Sequence, residues 1–127
     1  MEDHIYNLAI DKFNQQKYND AVSLLRYLAI LEPDNCLYLK ALAGGLQMNE
    51  EFEEAVVCYN QAFKLKPIAD NYDCIFFVAN CFLSLKDTQN AILKLSHFID
   101  LCEKNEFATI HFDKLIKRAR LLIQAHR

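Results

Sequence analysis

The sequence predicts an all-α fold: three helix–turn–helix units closed by a last helix and stacked into an α-solenoid. Three observations predict it. Glycine and proline number only two each in 127 residues, so short helix connections are favoured over the turn-rich chain of a β fold. Hydrophobic residues make up 53% of the chain, enough for a packed core. Apolar residues recur at helical spacing, and the pattern itself repeats along the chain.

The first helix begins near Glu2, with Glu2 and Asp3 suited to a helix N-terminus. Ile5, Leu8 and Ala9 form one apolar stripe; Tyr6, Ile10 and Phe13 form another on a different face. A helix with two apolar faces must be covered twice. The turn Gln15-Gln16-Lys17 leads to a partner helix over Tyr18–Leu31, and Pro33-Asp34-Asn35 breaks the chain. The stretch Cys36–Pro67 then gives two helices of about four turns around the polar break Met48-Asn49-Glu50-Glu51. Leu39, Leu42, Ala43 and Leu46 mark the first, and Phe52, Ala55, Val56, Tyr59, Ala62 and Phe63 the second. Ala43 and Ala55 are expected at the helix crossing, where only small side chains permit close approach. Pro67 cannot continue a helix interior and ends the unit. Gly44-Gly45 inside a helix costs up to about 1 kcal/mol per glycine relative to alanine. Either close helix packing or room for a ligand backbone would account for the pair.

Leu8, Ala9, Tyr18, Ala21, Leu25 and Pro33 precede Leu42, Ala43, Phe52, Ala55, Tyr59 and Pro67 by 34 positions. Val78, Ala79, Phe82, Ala91, Leu95 and Phe98 continue the pattern at an offset of 36. The connection Lys66–Asn71 holds the two extra residues. Helices are expected over Tyr72–Leu85, apolar nearly all round, and Thr88–Leu101, with Thr88 near its start. After polar Glu103–Glu106, a final helix over Phe107–Gln124 carries the stripe Ala108, Phe112, Leu115, Ala119 and Leu122. Stacked repeats need such a helix to cover the last face.

Net charge is −3 and unevenly placed. Residues 1–103 hold 8 basic and 15 acidic side chains, net −7; residues 104–127 hold 6 and 2, net +4. The acidic body argues against nucleic acid as a partner, and the basic tail reads as the solvated face of the last helix. Five scattered cysteines without a CxxC pair read as apolar fillers in a reducing compartment. No apolar run is long enough to span a bilayer, and no signal peptide is visible. A soluble cytoplasmic protein without stable membrane insertion is expected.

The sequence holds no Gly-rich phosphate loop, no HExxH and no nucleophile elbow. The four histidines lack metal-ligand spacing. Glu50, Glu51, Glu53 and Glu54 fit a solvated helix start better than paired catalytic carboxylates. No enzyme, cofactor or metal is expected.

The 34-residue unit resembles the tetratricopeptide repeat, a helix–turn–helix with small residues at the crossing and a terminal proline. The resemblance implies a single right-handed α-solenoid domain, with repeats over about 2–35, 36–69 and 72–103 and a capping helix over about 107–125. In such arrays the first helix of each pair lines a concave groove. The groove residues would be Tyr6, Ile10, Phe13, Leu37, Lys40, Gly44, Gln47, Phe76, Asn80 and Leu83. That surface is apolar and aromatic, and it suits an extended peptide with spaced apolar anchors, its backbone bonded by Gln47 and Asn80. Tyr6 and Ile10 stand where carboxylate-gripping co-chaperones of this family carry cationic and amide groups, and Lys40 alone does not restore that clamp.

A narrower resemblance rests on Ile5-Tyr6, on Arg26-Tyr27-Leu28 with Ile30, on Gln47-Met48 ahead of Phe52-Glu53-Glu54-Ala55, and on Cys81-x-Leu83-x-Leu85-Lys86. Over about residues 3–101 the chain is similar to the class II chaperones of bacterial type III secretion systems. Those proteins hold hydrophobic translocator subunits in the cytoplasm before export. The resemblance implies a chaperone that binds an extended segment of a translocator or effector in its groove, with Tyr6 and Phe13 among the receiving aromatics. Ile10 is aliphatic where family members often carry tyrosine. Family members usually also carry a longer N-terminal dimerisation segment, whereas this sequence opens on the first repeat helix. Self-association or a partner is expected at the uncovered face of that helix. A non-enzymatic adaptor or assembly subunit holding a folded partner is the alternative.

Overall fold

A computed structural model describes residues 2–127. Eight α-helices and no strand occur among the described residues: α1 (Glu2–Asn14), α2 (Tyr18–Leu31), α3 (Cys36–Met48), α4 (Phe52–Leu65), α5 (Asp73–Ser84), α6 (Thr88–Glu103), α7 (Glu106–His111) and α8 (Asp113–Ala125). They pack in chain order, α1 on α2, α2 on α3, and so on to α6, with α8 laid against α6.

The small residues predicted for the crossings are all fully buried. Ala9 and Ala21, Ala43 and Ala55, and Ala79 and Ala91 recur at the offsets read from the sequence. The three intra-repeat turns also share one geometry. Gln16, Glu50 and Lys86 each take a left-handed φ of 63–64° without being glycine. In each turn the next N–H donates five residues back: Lys17 to Lys12, Glu51 to Leu46 and Asp87 to Phe82, all at 2.8 Å. This 6→1 bond satisfies a carbonyl that the helix end leaves free.

The repeat boundaries are capped by polar side chains. Asn35 accepts from the backbone N–H of Tyr38 and so starts α3. At α6 the cap is Asp87, which accepts from the N–H of Asn90, while Thr88 is the first helical residue. The connection before α5 contains a 3₁₀ turn over Ala69–Asn71, pinned by buried Asn71. Its amide donates to the Lys66 carbonyl at 2.9 Å and its oxygen accepts from Lys40 Nζ at 3.1 Å. Sequence reasoning did not single out Asn71.

The expected capping helix is two helices, broken at Phe112. Phe112 leaves helical geometry and its ring enters the core 6.1 Å from that of Phe98. The break re-aims the chain. Ile116 and Ile123 take the buried places expected of Leu115 and Leu122, which are only half-buried. Phe98 stands where the preceding repeat has Ala62, and it is fully buried because Phe76 and Phe112 pack around it.

Candidate functional site

Equivalent positions of the three first helices form rows across the array. The row Tyr6, Lys40 and Phe76 points toward the element that follows and is largely engaged there. Tyr6 lies 5.7 Å, centroid to centroid, from Tyr38 of α3. Lys40 pairs with Asp73 at the start of α5, Nζ to Oδ1 3.0 Å, and with Asn71. That cation is therefore held and neutralised. Phe76 is only 2% exposed and packs on Phe98 at 5.5 Å. The expectation that Phe76 stands free for a ligand is not met: α6, α7 and α8 close over that end of the row and make it core.

The second row is Ile10, Gly44 and Asn80, all half-buried. The two adjacent glycines have different roles. A Cβ on Gly45 would come within 3.1 Å of Val22 Cγ2 and 3.9 Å of Leu25, so Gly45 permits the close approach of α2. A Cβ on Gly44 would meet only the Tyr59 hydroxyl, at 3.8 Å, an ordinary contact. Its missing side chain leaves space on the inner face.

The third row is Phe13, Gln47 and Leu83, again half-buried. Phe13 packs edge-on to Tyr18 at 5.4 Å. Gln47 Oε1 accepts the Tyr59 hydroxyl proton at 2.8 Å, which holds the amide in place with its N–H groups available to a second acceptor. Burial pushes the Tyr59 hydroxyl far above its ordinary pKa, so it stays a protonated donor. Leu37, at the mouth, is 56% exposed.

Sequence reasoning missed Ala41, Met48 and Phe77. Leu37, Ala41, Gly44 and Met48 follow the 4-3-4 spacing of one helix face. That spacing was the signal available. Phe77, the equivalent of Ala41, stacks over Tyr59 at 5.4 Å and links the second and third repeats. The resulting strip is apolar and aromatic, with one oriented amide and no unpaired cation at Lys40. It can hold extended apolar chain, and nothing in it is arranged as an acid, base or nucleophile. No group of three or more His, Cys, Asp or Glu side chains disposed to hold a metal ion occurs among the described residues.

A family model for the tetratricopeptide repeat matches residues 3–35 and 38–67. The chain carries tetratricopeptide repeats. This repeat protein is similar to the chaperone protein SicA of Salmonella typhimurium, with 30% identity over 91 residues, 72% of this chain and 54% of SicA. It is similar also to the uncharacterized protein YgeG of Escherichia coli, with 29% identity over 101 residues, 80% of this chain and 61% of YgeG. The chain thus spans little more than half the length of these relatives. Among solved structures it shares its fold with the type III secretion translocator chaperone SycD of Yersinia enterocolitica, TM-score 0.85 and 19% identity, over 98% of this chain and 90% of SycD. It shares it equally with PcrH, a protein of Pseudomonas aeruginosa, solved with the chaperone-binding region of PopD. There the TM-score is 0.83 and the identity 20%, over 98% of this chain and 89% of PcrH.

Proposed function

We propose that this protein is a non-enzymatic, cytoplasmic type III secretion chaperone. It holds an extended apolar segment of a translocator or effector along the inner faces of α1, α3 and α5 and so keeps the client soluble before export. The observation that carries this reading is the inner strip itself: Tyr6, Ile10 and Phe13 half-buried on α1, Leu37 exposed beside it, and the open space at Gly44. Aromatic and aliphatic side chains that stay partly exposed in a concave surface are the anchors on which peptide affinity concentrates. The fold shared with PcrH bound to the PopD region, and with SycD bound to a YopD peptide, supports the same use of the surface.

Leu8 is 46% exposed, whereas its equivalent Leu42 is buried beneath α2. That open edge of α1 is a second contact surface, for another copy or a partner.

Co-expression with candidate clients that carry long apolar segments tests the function. The proposal requires a client that is insoluble alone to be recovered in a soluble complex. Recovery of the client in aggregates, beside soluble folded repeat protein, contradicts it.

A further inference from the structure

The middle repeat carries a polar pair where its neighbours are apolar. In register, Gln47 of α3 corresponds to Phe13 and Leu83, and Tyr59 of α4 to Leu25 and Leu95. Leu25 and Leu95 are fully buried, and Tyr59 is 4% exposed at the same core position. Leucine packs that position in two repeats, so packing alone does not call for a hydroxyl. A buried hydroxyl costs free energy unless it is bonded. This one is bonded to Gln47, 2.8 Å from Oε1.

The bond decides how the amide points. No other acceptor for the Tyr59 proton occurs among the described residues, so the hydroxyl donates and Oε1 faces it. The amide nitrogen is thereby turned away from Tyr59. Among the described residues Nε2 bonds no protein atom, and no buried side-chain nitrogen or oxygen lacks a partner, so Nε2 reaches solvent. Gln47 is half-buried on the inner face and presents its N–H donors there.

Gly44 opens the way to them. It lies about one turn before Gln47 on the same face of α3. A Cβ built on it would meet the Tyr59 hydroxyl at 3.8 Å, so glycine, hydroxyl and amide share one spot. The corresponding residues of the other repeats are Ile10 and Asn80, which keep their side chains. With no side chain at position 44, another main chain can pass at contact distance. Lys40, which would otherwise compete for its carbonyls, is held by Asp73 and Asn71.

We propose that Tyr59 is a positioning residue of the client groove: it turns the Gln47 amide so that Nε2 donates to a main-chain carbonyl of an extended client segment passing over Gly44. The inference rests on the client-groove reading. It makes the middle repeat recognise the client's backbone instead of a side chain, so this point fixes the register of the segment without fixing its sequence.

Fluorescence anisotropy tests this with a fluorescein-labelled peptide of the PopD chaperone-binding region, the segment solved with PcrH, as the probe. Gln47→Glu keeps an oxygen for the Tyr59 proton and removes the donor. It should melt with the wild type and weaken the probe by about tenfold or more. Tyr59→Phe keeps the ring and frees the amide to turn. It should weaken the probe by about threefold to tenfold, and no further when combined with Gln47→Glu. Gly44→Ala should raise the melting temperature, because alanine favours a helix, and yet weaken the probe by about threefold or more. Thiocarbonyls are poor acceptors. Replacing the probe's carbonyls by them one at a time should expose a single position that weakens binding to the wild type and is silent in Gln47→Glu; its first half needs no variant to fold. Wild-type affinity in Gln47→Glu or Tyr59→Phe, additive effects of the two, or no carbonyl that depends on Gln47 would each overturn the proposal. Phe13→Ala weakens the probe in every one of those cases if the groove reading stands. A probe that the wild type does not bind overturns both.

Discussion

Replacing Phe76 with alanine separates a core residue from a groove residue. The ring is 2% exposed, 5.5 Å from Phe98 and 5.8 Å from Phe77. Truncating a buried phenylalanine removes its transfer free energy and leaves a cavity, at a cost of about 3–5 kcal/mol. Domains of this size have total stabilities of about 5–15 kcal/mol, so the loss is a large fraction. At roughly 3–5 °C per kcal/mol, intermediate between small and large domains, the melting temperature should fall by about 10–20 °C. Thermal unfolding followed by circular dichroism at 222 nm reads this directly. Phe13→Ala provides the contrast: a half-buried ring on the first repeat should cost much less. A Phe76→Ala variant that melts with the wild type yet no longer holds a client would refute the burial argument and return Phe76 to the groove.

Three further outcomes are expected. Ala55, fully buried at the α3–α4 crossing, has no room for a ring, so Ala55→Phe should lose about 1–3 kcal/mol or more, and an unchanged melt would contradict the repeat register. All five cysteines are buried, and desolvation raises Cys74 to about 12 and Cys81 and Cys102 to about 11; a thiol reagent such as Ellman's should label the native chain slowly and the unfolded chain at five sites. Hydrogen bonds from Arg26 hold the Glu54 carboxyl below its ordinary pKa, so the pair stabilises the fold above the usual carboxylate range and ceases to do so as pH falls through the lowered value. Both side chains are about two-fifths exposed, which limits the effect to about 1 kcal/mol or less; the melting gap between wild type and Glu54→Gln should be a few degrees at most at pH 7 and should close in acid, whereas a gap that persists at low pH would show that packing is its source.

The repeat register was legible because it rests on side-chain size. Alanines at fixed offsets mark crossings that tolerate nothing larger, and all six proved fully buried. The inner face was legible only in part. Spacing along one helix shows which residues share a face, so Ile10, Gly44 and Asn80 could be grouped. It does not show what a neighbouring element does to that face. Phe76 is equivalent in register to Tyr6, yet α6 and the two-piece cap close over it, and no local pattern in Tyr72–Leu85 reports a contact made by Phe98 and Phe112. Lys40 likewise reads as a free cation until the 3₁₀ turn brings Asn71 and Asp73 beside it. The break at Phe112 escaped for the same reason: the heptad-like stripe through α7 and α8 reads as continuous, and tertiary packing of one ring overrides it.

The central claim is that a client segment lies along the first helices. The most direct test is the dissociation constant of a labelled client segment for three proteins: wild type, the double variant Phe13→Ala with Leu37→Asp, and Ile30→Glu, at an exposed position of α2 outside the first helices. Loss of an aromatic anchor and burial of a new charge should together weaken binding by about a hundredfold or more in the double variant. Binding by Ile30→Glu should match the wild type. Full affinity in a folded double variant, or loss of affinity in Ile30→Glu alone, would place the client outside the groove of first helices.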